Sequence, residues 1–230
     1  MRIGILVATK PEWEPFIEIF GDPIAYFKAT DNGCGFERAK WSTGRHFITL
    51  IMSGYGEIAA ASATQYLIDK CNIDIIINYG VVGGLHEMHE VKKIGIVRKI
   101  VHYDFDLSIG GNKYPVGRYP NQKDLFISPK RDALPADFME RFDELTCASA
   151  DKFVCGGEPK RKLREKFGAD VCEMEAAGIV ITCNRNNVPC SFIKAVSDGV
   201  DEDEEAFDMN VHEASKVCVE LISEALKVLY

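Results

Sequence analysis

The sequence predicts an α/β protein, a three-layer α/β/α arrangement around a central, mostly parallel mixed sheet. Three observations carry this. Residues 3–8 (IGILVA), 47–52 (FITLIM), 73–77 (IDIII) and 191–196 (SFIKAV) are nearly continuous apolar runs, as in strands covered on both faces. Segments of helical period lie between them, and strands that alternate with helices pair in parallel through crossovers. A length of 230 residues, 47% apolar and 27% charged, suffices for such a core in one domain spanning 1–230.

Taken in order, the first strand ends at Ala8-Thr9-Lys10-Pro11-Glu12, which puts Glu12 at the mouth of a helix. A carboxylate there is often no more than a partner of the helix dipole. The second strand is followed by Ser53-Gly54-Tyr55-Gly56 and a predicted helix over 57–70, the third by Gly80-Val81-Val82-Gly83-Gly84. Glycines this dense let backbone amides approach a ligand, although neither loop is a Walker loop or a complete dinucleotide fingerprint. Residues 94–101 (IGIVRKIV) are less purely apolar and predict a strand near an edge. The stretch 105–135, rich in Gly, Pro, Asn and Lys, predicts an excursion or flap.

Next, Cys172-Glu173-Met174-Glu175-Ala176-Ala177 opens an apolar helix. Two residues apart on a helix, Glu173 and Glu175 would point about 200° apart, one to solvent and the other to a site. Glu175, deeper in the apolar segment, is the one expected to face the site. The last strand closes on Ser197-Asp198-Gly199, where an Asp either caps a turn or donates a proton. Apolar residues at Val211, Ala214, Val217, Cys218, Leu221, Ile222 and Ala225 predict a packing helix to finish the chain.

A net charge of −8 and a pI near 5.2 argue against a nucleic-acid or anionic-membrane surface, and no apolar stretch approaches the ~20 residues of a membrane span. The early apolar run ends at Pro11 without a cleavage-site pattern, so a cytoplasmic protein is expected. Eight scattered cysteines (34, 71, 147, 155, 172, 183, 190, 218) form no C-x-x-C pair; they read as reduced thiols, with no metal site and no cofactor implied.

Together these loops resemble the 5′-methylthioadenosine/S-adenosylhomocysteine nucleosidases of the nucleoside phosphorylase superfamily. The resemblance rests on IGILVA with Glu12, SGYG at 53–56, INYGVVGGL at 77–85, CEMEAA at 172–177 and VSDG at 196–199, nearly the length of the chain. It implies a purine-nucleoside N-ribosyl hydrolase that needs no cofactor. Glu12 would deprotonate the attacking water, Glu175 would hold the ribose hydroxyls and Met174 would lie against the sugar. Phe153 would stack on the purine beside the backbone of Val154, and Phe207 would border the ribose and its 5′ substituent. Asp198, steadied by Ser197, would protonate N7 of the leaving base; Ala8, Val81 and Glu173 complete the implied substrate contacts. Such an acid must keep a proton near neutrality, which burial or a neighbouring negative charge would provide. A homodimer is also implied, its partner subunit closing the pocket.

The sequence departs from that pattern where Val81 replaces a hydroxyl residue, Tyr103 an expected His, Lys194 an Arg, and Gly95-Ile96 a Gly-Asp pair. Two alternatives stay open. A phosphorylase would need cations and hydroxyls at the nucleophile, with Arg38 or Arg45 reaching a neighbour's pocket. A catalytically silent nucleoside-binding protein would need neither Glu12 nor Asp198.

Overall fold

The computed structural model describes residues 1–30, 35–109, 114–120 and 122–229; Cys34 and parts of the 105–135 stretch lie outside the described residues. Nine strands join in one mixed sheet: β1 (Arg2–Val7), β2 (Ala25–Phe27), β3 (Glu37–Ser42), β4 (Phe47–Met52), β5 (Ile75–Gly84), β6 (Ile94–His102), β7 (Asp143–Ser149), β8 (Val171–Glu173) and β9 (Cys190–Asp198). Six helices accompany them: α1 (Lys10–Phe20), α2 (Glu57–Cys71), α3 (Ala136–Met139), α4 (Gly157–Phe167), α5 (Ala176–Asn186) and α6 (Glu204–Val228).

The order is β2-β3-β4-β1-β5-β8-β7-β6-β9, and β9 also pairs with β5, so the last five strands close on themselves. This closure corrects one expectation: β6 is no edge strand, because β7 flanks it in parallel and β9 antiparallel. Its polar residues Arg98 and Lys99 instead reach Asp132 and Glu144 at 3.1 and 3.9 Å.

Alternation along β1 divides the two helical layers. Ile3, Ile5 and Val7 face a core shared with Trp13 and Phe16 of α1 and with α6. Leu6 faces the opposite core, with Ala60 and Leu67 of α2 and Ile179 and Val180 of α5. Gly4 makes that second contact close: a Cβ there would stand 3.1 Å from Leu67 Cδ1. Phe16 is fully buried against Phe20 and Trp41, with ring centroids at 4.3 and 4.9 Å; truncation to Ala would cost about 3–5 kcal/mol. A third cluster, with Leu163 and Phe167 of α4 against Leu85, Val101 and Cys172, packs beside the closed strands.

Of the 105–135 stretch, Ile127 bridges to Ile100 of β6 and is buried. The predicted helix start at 172–177 also needs correction. Glu173 ends strand β8 and Glu175 is the N-cap of α5, so the two carboxylates are not opposed across a helix; both are buried. The seven described cysteines are free thiols, and among the described residues no helix is long and apolar enough to cross a membrane.

Candidate active site

Ligands of α/β sheets sit beyond the carboxyl ends of parallel strands, and a cavity of about 540 Å³, counted to its mouth, lies there. Ala8, Thr9 and Glu12 follow β1; Tyr55 follows β4; Val81, Val82 and Gly83 end β5; Lys152, Phe153 and Val154 follow β7. Cys172, Glu173, Met174 and Glu175 come from β8 and the start of α5, Asp198 from the end of β9, and Phe207 from the first turn of α6. Ser197 stands behind this wall, fully buried.

Glu12 sits on the first turn of α1 because Thr9, the helix N-cap, is in extended conformation and Pro11 suits a helix start. Its Oε2 accepts from the amides of Ala8 and Thr9, both at 2.9 Å, and from Thr9 Oγ1 at 3.1 Å; its Oε1 accepts from the Val81 amide at 3.1 Å. The same turn is tied to β5 by Tyr79, whose hydroxyl donates to the Glu12 carbonyl at 2.7 Å. Gly80 is required beneath the carboxylate: a Cβ there would stand 2.3 Å from Glu12 Oε1.

Around the start of α5 three carboxylates meet one cation. Glu173 Oε2 accepts from Lys194 Nζ at 3.2 Å and from the amides of Glu175 and Ala176 at 3.1 and 2.9 Å. Glu175 Oε1 accepts from the Gly56 amide at 3.0 Å. Burial, then the charge of Glu173, pushes the Glu175 carboxyl up to about 8 despite Lys194. Burial pulls Lys194 the other way, but Glu173, Glu175 and Glu12 outweigh it and hold its ammonium above the usual lysine range. Lys194 thus keeps a cation at the position where the resemblance expects Arg.

Glu57, at the start of α2, completes the group. Ser149 Oγ lies 2.5 Å from both Glu57 Oε1 and Glu173 Oε1 and also accepts the Ala177 amide at 3.1 Å. A hydroxyl has one hydrogen, so one of the two carboxyls must bring a proton to this cluster. Burial, then Glu173, raises Glu57 well above the usual carboxylate range and makes it the holder.

Asp198 is buried, and its Oδ1 accepts from Ser197 Oγ at 2.6 Å. Of the two conditions expected for an acid there, burial is met, but its other neighbour is a cation rather than a negative charge. Lys160 of α4, with no exposed side-chain surface, places Nζ 2.5 Å from Asp198 Oδ2. Sequence reasoning missed both Lys160 and Glu57. Lys160 lies three and seven residues before Leu163 and Phe167, on the apolar stripe of α4, and a lysine on such a stripe is the signal that was there to read.

The aromatic side of the pocket is Phe153, 43% exposed, edge-on to Phe207 at 5.4 Å. Cys172 lines the wall, but burial pushes its thiol up to about 12, which leaves no reactive thiolate. Tyr103 is outside the lining; its hydroxyl donates to the Lys152 carbonyl at 3.4 Å. Gly95 and Ile96 are packing residues of β6, where a Cβ on Gly95 would meet Leu145 at 2.5 Å. Arg38 covers the rings of Phe27 and Tyr66, and Arg45 borders a separate hollow with Phe20 and Lys227, so neither lines this pocket. Among the described residues no His, Cys, Asp and Glu cluster could hold a metal ion.

Carboxylates converging with an edge-on aromatic pair at the strand ends define an α/β enzyme with acid and base groups set around one small ligand. The chain belongs to the phosphorylase superfamily, whose family model matches residues 2–227. It is 30% identical over 238 residues to the 5′-methylthioadenosine/S-adenosylhomocysteine nucleosidase of Tolumonas auensis, covering 100% of both chains. It is 29% identical over 230 residues to the aminodeoxyfutalosine nucleosidase of Campylobacter jejuni, covering 96% of each. Among solved structures, it resembles the 5′-methylthioadenosine/S-adenosyl homocysteine nucleosidase of Helicobacter pylori in complex with a pyrrolidine ligand. That match has TM-score 0.90 and 25% identity, over 100% of this chain and 99% of that one. The futalosine hydrolase of the same organism matches with TM-score 0.89 and 25% identity, over 100% and 98%.

Proposed function

We propose that this chain hydrolyses the N-glycosidic bond of an adenine nucleoside carrying a 5′ substituent, 5′-methylthioadenosine or a near relative, to free base and substituted ribose. It is a nucleosidase, an N-ribosyl hydrolase, as its relatives are. The observation that carries the division of labour is that one pocket takes Glu12 from the first turn of α1 and Asp198 from the end of β9.

As the bond breaks, positive charge develops on the ribose and negative charge on the purine. Glu12 uses three donors on Oε2 and one on Oε1, so Oε1 keeps a lone pair for the attacking water. Taking that water's proton, it acts as general base and stabilises the developing cation. Glu175 accepts from the ribose hydroxyls with Met174 against the sugar, and Asp198, oriented by Ser197, hands a proton to the purine. Phe153 covers the base beside Val154, Phe207 borders the 5′ substituent, and Ala8, Val81 and Glu173 complete the walls. Phosphate as nucleophile is disfavoured: Lys152 is the one cationic residue among the described lining residues, and Glu12 would repel the anion.

The whole chain acts as one catalytic domain in the cytoplasm, working as a homodimer. Tyr55 lines the pocket yet is 69% exposed, and Ile58 of the next turn is 81% exposed. A second copy covering them would close the pocket mouth. Ile58→Glu should therefore yield monomers on sedimentation with a raised KM; a monomeric wild type of full activity would contradict the dimer.

Glu12→Gln tests the base. The amide can turn its oxygen toward Ala8 and Thr9 and give up only the Val81 contact, so the pocket should survive. Turnover should fall ~10²–10⁴-fold with nucleoside binding nearly unchanged. Equal loss of binding and turnover would assign Glu12 to structure alone.

A further inference from the structure

Lys160 is a buried ionisable group that the proposed reaction leaves without a task and that touches Asp198. A fully buried ammonium is costly unless it is paired and hydrogen-bonded. Here Nζ donates to Asp198 Oδ2 and to the Gly199 carbonyl, both at 2.5 Å, and to the Glu202 carbonyl at 3.4 Å. Three acceptors match the three hydrogens of an ammonium. Asp198, by contrast, accepts on both oxygens, from Lys160 on Oδ2 and from Ser197 on Oδ1. Asp198 thus has an ammonium on one oxygen and a hydroxyl on the other, and the hydrogen nearest to it that can be transferred belongs to Lys160.

We propose that Lys160 is a positioning residue that supplies, through Asp198, the proton taken by the leaving purine. This rests on the reading of Asp198 as the acid. When the glycosidic bond breaks, its electron pair leaves with the base. Asp198 takes a proton from Lys160 Nζ and passes it to the base as the electron pair arrives there. Asp198 ends as the carboxylate it was, Lys160 as a neutral amine and the base as a neutral purine; the amine regains its proton from solvent once the pocket empties. Gly83 permits the approach, since a Cβ there would stand 3.2 Å from Asp198 Oδ2 and 3.4 Å from Lys160 Cε.

Lys160→Gln still donates to Asp198 but has no proton to give. The experiment compares kcat for 5′-methylthioadenosine with kcat for a 4-nitrophenyl riboside, whose phenolate departs without protonation. Their ratio within one preparation does not depend on the fraction folded, and Lys160→Met provides the same ratio if the Gln variant folds poorly. The ratio should fall ~10²-fold or more in both Lys160 variants and in Asp198→Asn. If Asp198→Asn lowers the ratio and the Lys160 variants leave it at the wild-type value, Lys160 only buttresses the fold and the inference is overturned. An Asp198→Asn ratio equal to wild type would instead remove Asp198 as the acid.

Discussion

Glu12 shows how a carboxylate can be readable in sequence while its support is not. A Glu five residues after a buried strand stands out, but the reason Gly80 must be glycine exists only where β5 passes beneath the carboxylate. Gly80→Ala should displace Oε1 from the Val81 amide and lower kcat by about the ~10²-fold of a misplaced base, with a melting temperature changed far less. Normal kcat in a destabilised protein would contradict this. Glu175 makes a second prediction, about pH. Its carboxyl, raised to about 8, must ionise before it can accept from two ribose hydroxyls, so KM should fall as pH rises through 8 and be flat in Glu175→Gln. Stability runs the opposite way. Below its ordinary value of 4.5 the group is protonated folded or unfolded, and between 4.5 and about 8 folding takes up a proton. The stability it contributes is therefore lost as pH rises through about 8, and the melting curve of Glu175→Gln should lack that decline. A wild-type KM that is constant from pH 7 to 9 would sink the assignment.

At the scale of elements, the strands that could be read were the nearly continuous apolar runs of β1, β4, the body of β5 and β9, with the less purely apolar β6. Those missed were short or amphipathic: β2 and β8 have three residues each, β7 (DELTCAS) opens on two exposed acids, and β3 (ERAKWS) carries charge because only Ala39 and Trp41 face the core. Helix α4, GEPKRKLREKF, hid behind its charges for the same reason, and with it Lys160. The junction of α2, β7 and α5 depends on Glu57, which accepts from the Gly178 amide on Oε2 and meets Ser149 on Oε1. A protonated carboxyl and a carboxamide offer the same pattern there, one donor toward Ser149 and one acceptor toward Gly178. Glu57→Gln should therefore keep the wild-type melting temperature at neutral pH and exceed it in alkali. Glu57→Leu leaves the Gly178 amide unpaired, while Ser149 keeps Glu173 and the Ala177 amide, and should cost about 1–3 kcal/mol. A Gln variant as unstable as the Leu variant would show that Glu57 is needed as an anion.

For the molecule as a whole, the alternation of strands and helices was enough to give the layers, and the glycine loops and strand-end carboxylates were enough to locate the pocket. The closure of β9 onto β5 was not legible, because it depends on pairings between residues more than 100 apart in the chain, such as Ile76 with Cys190. That closure brings α4 against the end of β9 and so creates the Lys160–Asp198 pair, a contact invisible to local pattern. The central claim is that water, admitted by Glu12, attacks the ribose of an adenine nucleoside. The direct measurement is turnover of 5′-methylthioadenosine in ¹⁸O-water, with and without phosphate, followed by mass analysis of the sugar. Water as nucleophile predicts free adenine and a methylthioribose carrying one ¹⁸O, at a rate that phosphate does not change. A sugar 1-phosphate without the label, formed only when phosphate is present, would contradict it.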